Sequence, residues 1–187
     1  MCTNNIYIIA EKSNIDNKFA DIFVDFYNDM FNKGIIQGGC HLLSSILHII
    51  LNELGYENVL RLGIAEILGI KFSHSWVEFE NKKFDIAISN TNNTALNINN
   101  SIFANIDVKT MENGQVNYYD MKNSSPDKTG EIIRNMTIGK YFEGCPWGRN
   151  FCWDYIVSFC KNHKKYLNTR RLKEKYCDQT WTLENNG

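Results

Sequence analysis

Residues 40 to 54 constrain the fold more than any other part of the chain. Leu42, Leu43, Ile46, Leu47, Ile49, Ile50, Leu51 and Leu54 cover most of the circumference of a helix, leaving a narrow polar strip of His41, Ser44, Ser45, His48 and Asn52. A helix that is apolar nearly all round has to be enclosed by other elements, so it is expected at the centre of the fold, closed by Gly55. The remaining chain is sufficient to enclose it. Its 187 residues, 43% hydrophobic and 13% aromatic, can close one sizeable core and are too few for two ordinary domains, so a single domain over residues 1–187 is expected.

The flanking segments supply the enclosing layers. Between Asp16 and Asn32 the apolar residues Phe19, Ile22, Phe23, Phe26, Tyr27 and Met30 recur at helical spacing, and Gly34 follows as a stop. After the central helix the period changes from helix to strand. Segments Val59–Ile67, Phe72–Glu80 and Phe84–Ser89 are rich in β-branched and aromatic residues, and Leu68-Gly69 and Asn81-Lys82 are the turns expected between them, giving an antiparallel meander. The Asn- and Thr-rich stretch 90–100 reads as a surface loop. Ile102–Val108 and Gln115–Met121 are two further candidate strands around Glu112-Asn113-Gly114, and 123–130 is another loop. Helical spacing returns from Asn150 to Asn168. The fold class implied is α+β, with a central helix packed on an antiparallel sheet.

The central helix opens on a cysteine. In Gln37-Gly38-Gly39-Cys40, the two glycines permit tight turns and leave room for a substrate beside the sulfur. A free thiol titrates at about 8.5, and the unpaired N–H groups of a helix start favour its anion, as does a nearby imidazolium. His74, in Ser73-His74-Ser75-Trp76, is the expected general base and acid, and Asp85 the carboxylate that fixes its tautomer. The Cys40 N–H and, as a second donor, Gln37 are candidates to bind a developing oxyanion, and Trp76, on the face of His74, is a candidate wall of the substrate cleft. With Asn81-Lys82 as the turn, Ser89 falls opposite His74 and Asp85 lies four residues away. A bulge, a strong twist or a different pairing is then needed, and Glu78, Ser89 and Asn90 stand as alternative third members.

Cys40-His41-Leu42-Leu43-Ser44-Ser45-Ile46-Leu47, Leu54-Gly55-Tyr56, Arg61-Leu62-Gly63-Ile64, His74-Ser75-Trp76-Val77-Glu78 and Asp85 together resemble the core of the transglutaminase-like branch of papain-like cysteine enzymes. The histidine segment is similar to that branch's His-Ala-Trp-Val-Glu signature. The spacing of cysteine, histidine and aspartate is closest to peptidases that remove the leader from lasso-peptide precursors, with a more distant similarity to arylamine N-acetyltransferases. The resemblance covers about residues 34 to 90. It implies a papain-like α+β core, Cys40 as nucleophile, His74 as base and Asp85 as orienting residue. The expected activity is that of a cysteine-dependent peptidase, amidase or acyl transferase working through a thioester on a peptide or protein substrate. No metal or organic cofactor is expected. The rival expectation is a papain-like module that binds a peptide without turnover.

Other cysteines, histidines and charges have plainer explanations. Cys145, Cys152, Cys160 and His163 lack a Cys-x-x-Cys spacing, and the last three lie on one apolar helix stripe, so core packing is expected and a metal is not. His41 and His48 are expected to be hydrogen-bonding residues rather than catalytic ones. The basic residues from Lys161 to Lys175 read as a solvated face. A net charge of −1 gives no field that points to nucleic acid or an anionic membrane. Residues 1–12 carry no basic leader and their apolar run is broken at Glu11, and no later run reaches about 18 apolar residues. The expectation is a cytoplasmic protein, not embedded in a membrane, with its six cysteines as free thiols.

Overall fold

The computed structural model describes residues 3–34, 39–90, 101–121 and 125–183. Gln37, Gly38 and nearly all of the expected Asn-rich loop lie outside the described residues. The architecture is mixed: helices surround and support an antiparallel sheet. None of the described helices is long and apolar enough to cross a membrane.

Helix α3 (Cys40–Glu53) is the centre that its composition requires. Every residue from His41 to Leu51 is buried, including the polar strip. The strip is accommodated by hydrogen bonds: Ser44 Oγ donates to the Ser75 carbonyl at 2.7 Å, Ser45 Oγ to the His41 carbonyl, and His48 Nδ1 meets Asn58 Oδ1 at 2.7 Å. Past its end, Gly55 takes a left-handed φ of 98°, which lets the Tyr56 N–H return to the Leu51 carbonyl.

Helix α3 packs against α2 (Asn17–Asn32), β1 (Val59–Ile67) and β2 (Ile70–Phe79). Asp16 caps α2 through the Lys18 N–H, and the helix buries Phe19, Ile22, Phe23, Phe26 and Met30 as its periodicity predicts. Phe19 and Phe23 join Phe79, Phe84 and Phe103 in an aromatic cluster with ring centroids 4.6–6.4 Å apart. Burying each such ring stabilises the fold by about 1.5–3 kcal/mol. An additional helix, α1 (Thr3–Lys12), buries Ile6, Ile9 and Ala10 beside α2, where the sequence suggested no element.

The sheet runs in the order β3-β2-β1-β6, with β3 at Lys82–Phe84 and β6 at Asn117–Asp120. The β1–β2 turn falls on Leu68 (φ 50°) and Gly69 (φ 80°), as expected. The β2–β3 turn does not fall on Asn81-Lys82. It uses Glu80 and Asn81, with φ of 49° and 58°, and pairs Glu78 with Lys83 and Val77 with Phe84. Two successive left-handed residues make the tight hairpin whose twist suits the flanking strands.

The expected third strand also ends early. After Phe84 the backbone of Asp85 leaves β2 and exchanges two 2.9 Å bonds with Ile102, while Asp85 Oδ1 accepts from Ala87 N and Ile88 N at 3.1 Å each. Those side-chain bonds offer the chain a turn instead of a ladder, and residues Ala87–Asn90 form a 3-10 turn. The candidate strand Ile102–Val108 is a two-rung hairpin, β4 (Ile102–Phe103) and β5 (Ile106–Asp107). Strand β6 does not pair back across Glu112-Asn113-Gly114 but joins the open edge of β1, with Tyr118 opposite Ala65.

Helices α4 (Lys128–Ile133), α5 (Ile138–Glu143), α6 (Phe151–Asn162) and α7 (Thr169–Tyr176) complete the described chain. The single helix expected over 150–168 stops at Asn162. Lys164 turns left-handed (φ 61°), and Asn168 Oδ1 caps α7 through the Arg170 and Arg171 N–H groups.

Candidate active site

Three elements converge at the start of α3. Cys40 is its first residue, partly exposed, in a turn whose N–H groups have no acceptor within the helix. His74 lies in β2 and is 2% exposed; Asp85, just beyond β3, is fully buried. His74 Nε2 meets Asp85 Oδ2 at 2.7 Å. The carboxylate accepts that N–H, which leaves Nδ1 of the ring for the sulfur. Asp85 Oδ1 is meanwhile fixed by the two backbone N–H groups of the 3-10 turn, so the carboxylate has little freedom to swing away from the ring.

The one-residue shift of the β2–β3 turn explains how Asp85 reaches His74. Extending the observed register places Asp85 opposite Trp76 and two positions from His74, a diagonal that side chains span without a bulge. The alternative third members are occupied elsewhere. Glu78 accepts from Trp76 Nε1 at 2.9 Å and faces Arg61 Nε at 3.6 Å, and Ser89 Oγ donates to the Ile86 carbonyl. Of Asn90 only the backbone lies within the described set.

Electrostatics polarise the pair. Burial alone would raise the Cys40 thiol and lower the His74 imidazole, yet both move the other way. The Cys40 thiol is held well below the ordinary thiol range because His41 and His74, in that order, outweigh its desolvation. His74 is pushed up to about 10 by Asp85 and then Cys40, again against burial. Both shifts favour the ion pair, thiolate and imidazolium, over the neutral pair. Cys152 and Cys160, buried on α6, are pushed up by desolvation instead.

Two features fix the cysteine over the histidine. His41 Nδ1 meets Ser75 Oγ at 2.7 Å and Ser44 Oγ donates to the Ser75 carbonyl, so the first turn of α3 is tied to the residue next to His74. On the other side of His74, Ser73 donates both its N–H and its hydroxyl to Asp127 at 2.7 Å. Asp127 also caps α4 through the Gly130 N–H. His41 is thus a buried hydrogen-bonding residue, as expected, but it also adjoins the sulfur.

Trp76 is 2% exposed and does not turn its indole N–H to Cys40. Its ring packs on Tyr118 at 4.8 Å and lines a cavity of about 490 Å³ with Arg61, Glu78, Lys83 and Asp120. The ring lies across Gly63, where a Cβ would come within 2.3 Å of the indole. Gln37 lies outside the described residues.

Sequence reasoning missed Tyr118, whose hydroxyl donates to Asp85 Oδ2 at 2.8 Å. Its contact is 33 residues away in the chain and depends on β6 crossing to β1, which no local pattern signals. Cys145, Cys152 and Cys160 are buried, His163 pairs with Asp25 at 3.4 Å, and among the described residues no group of three or more His, Cys, Asp or Glu could hold a metal ion. The five cysteines within the described residues are free thiols. No protein-family model, curated protein or solved structure matches the chain.

Proposed function

We propose that the protein is a cysteine-dependent hydrolase or acyl transferase of the transglutaminase-like, papain-like kind, acting on a peptide or side-chain amide in the cytoplasm. The observation that carries this reading is the 2.7 Å bond from His74 to the buried Asp85, with a thiol beside the ring at the first turn of a helix. The order and spacing of Cys40, His74 and Asp85 along the chain support it independently.

In this scheme the Cys40 thiolate attacks the amide carbonyl carbon and a C–S bond forms. The resulting oxyanion is stabilised by the N–H groups at the α3 start, which have no acceptor within the helix. The His74 imidazolium passes its proton to the departing nitrogen, the C–N bond breaks and a thioester remains. Neutral His74 then takes a proton from water as the water attacks the thioester, releasing the acid and restoring thiolate and imidazolium. An amine in place of water gives transfer; hydrolysis is the preferred outcome. Asp85 keeps the ring oriented and its positive form stabilised throughout.

Iodoacetamide labelling of the native protein at pH 6.5, read by peptide mass spectrometry, tests the proposal. Selective labelling of Cys40 that drops about a hundredfold in His74→Ala is the expected result. Equally slow labelling of all cysteines would instead favour a binding module without turnover.

A further inference from the structure

Asp85 Oδ2 serves two donors: His74 Nε2 at 2.7 Å and the Tyr118 hydroxyl at 2.8 Å. Tyr118 is firmly placed. Its ring packs on Trp76 at 4.8 Å and lies 6.5 Å from the His74 ring, Lys83 Nζ sits 5.9 Å above it, and its backbone is paired to Ala65 of β1. One face of the same residue borders the 490 Å³ cavity. A phenol that shares an acceptor oxygen with an imidazole draws charge from that oxygen and competes with the ring for it.

We propose that Tyr118 is a positioning residue of the candidate site, which holds the Asp85 carboxylate in place and moderates its pull on His74. This inference rests on the cysteine-enzyme reading above. Two features distinguish Tyr118 from a packing residue. It donates to the one oxygen that orients the histidine, whereas the other oxygen is already saturated by the Ala87 and Ile88 N–H groups. It also comes from β6, an edge strand that takes no other part in the triad, so the bond ties that edge and the cavity beside it to the proton-transfer groups. The titratable groups around His74 are Cys40 and His41 of α3, Asp85, and Tyr118 of β6. Lys83 of β3 faces the Tyr118 ring, and Asp127, the cap of α4, is hydrogen-bonded to Ser73 beside His74.

The sign follows from the shared oxygen. Without the hydroxyl, Asp85 Oδ2 belongs to His74 alone and holds the imidazolium to higher pH. A stronger donor at position 118 does the reverse. The alkaline limb of Cys40 alkylation by iodoacetate reads this directly, because the anionic reagent is drawn by the His74 charge and slows when the ring loses its proton.

The experiment compares wild type, Tyr118→Phe, 3-fluorotyrosine installed at position 118, and Tyr119→Phe as the control for an exposed neighbouring phenol. Tyr118→Phe is expected to move the alkaline limb up by roughly half a pH unit to one unit, the worth of one hydrogen bond. The more acidic fluorinated phenol, which keeps the ring packing if Tyr118→Phe does not fold, is expected to move it down, and Tyr119→Phe to leave it in place. Limbs that coincide in all four proteins, with Cys40 still labelled selectively, would overturn the role of Tyr118 and leave the cysteine-enzyme reading standing. Loss of selective, His74-dependent labelling in wild type itself would instead overturn that underlying reading.

Discussion

The chain puts cysteine close to histidine in two places, and the two differ in almost everything except residue type. At the start of α3, Cys40 is partly exposed, lies in the first helical turn and is flanked by two imidazoles, one of which is backed by a buried carboxylate. Near the end of α6, Cys160 is fully buried, and desolvation and then Glu53 raise its thiol to about 12 against a smaller opposing pull from Lys165. His163, three residues on, stacks on Phe159 at 4.8 Å and pairs with Asp25 at 3.4 Å. A thiol becomes a nucleophile through the charges and the helix end it faces, whereas an apolar enclosure makes the same atom a packing group.

The difference is largest in reactivity. At pH 6.5 a thiol pushed up to about 12 is ionised less than about one part in 10⁵, while the Cys40 thiol is held well below the ordinary range. Competitive labelling of the native protein with a limiting small electrophile is therefore expected to modify Cys40 orders of magnitude faster than Cys160. Comparable rates at the two positions would erase the comparison.

A second prediction isolates the carboxylate. In Asp85→Asn the amide nitrogen is expected to take the place of Oδ2, because Oδ1 is held by two backbone N–H groups, and the amide then donates to His74 Nε2. The ring is left neutral, with its proton on Nδ1. The alkaline limb of Cys40 alkylation, set by a His74 value of about 10 in the native protein, should fall by up to about three pH units towards the ordinary imidazole range. An unmoved limb would mean that Asp85 does not sustain the imidazolium, and would make the α3 corner resemble the α6 cluster after all.

Legibility in the sequence followed the range of the interactions. The α2 and α3 helices, β1 and the Leu68-Gly69 turn were readable because burial stripes and turn residues are local signals. The placing of Cys40 at the α3 start was readable for the same reason. What failed depended on distant partners or on close competition between turns. Asn81-Lys82 and Glu80-Asn81 differ by one residue and both contain Asn, yet that one step moves Asp85 from four positions away from His74 to two. The strand expected over Phe84–Ser89 gave way to a 3-10 turn because the Asp85 side chain captures two N–H groups of its own chain. Nothing in Asn117–Asp120 announces that it will cross to β1, and Tyr118 could not be assigned to Asp85 without that crossing.

The smallest expected effect, on stability, addresses the other half of the comparison. If Cys160 is a packing group, Cys160→Ser replaces a weakly polar sulfur with a hydroxyl in a site that offers little water, at a cost of about 1–3 kcal/mol in denaturant unfolding. Labelling of Cys40 should be unchanged, since the two residues share no hydrogen-bond partner among the described contacts. Cys40→Ser should invert the pattern: its side chain is already accessible at a helix start where hydroxyls are tolerated, so stability should hold while all thioester chemistry is lost. The two serine variants thus form a crossed test in which each position affects one readout and spares the other. A large loss of stability in Cys40→Ser, or none in Cys160→Ser, would show that the contrast between the two corners has been drawn at the wrong residues.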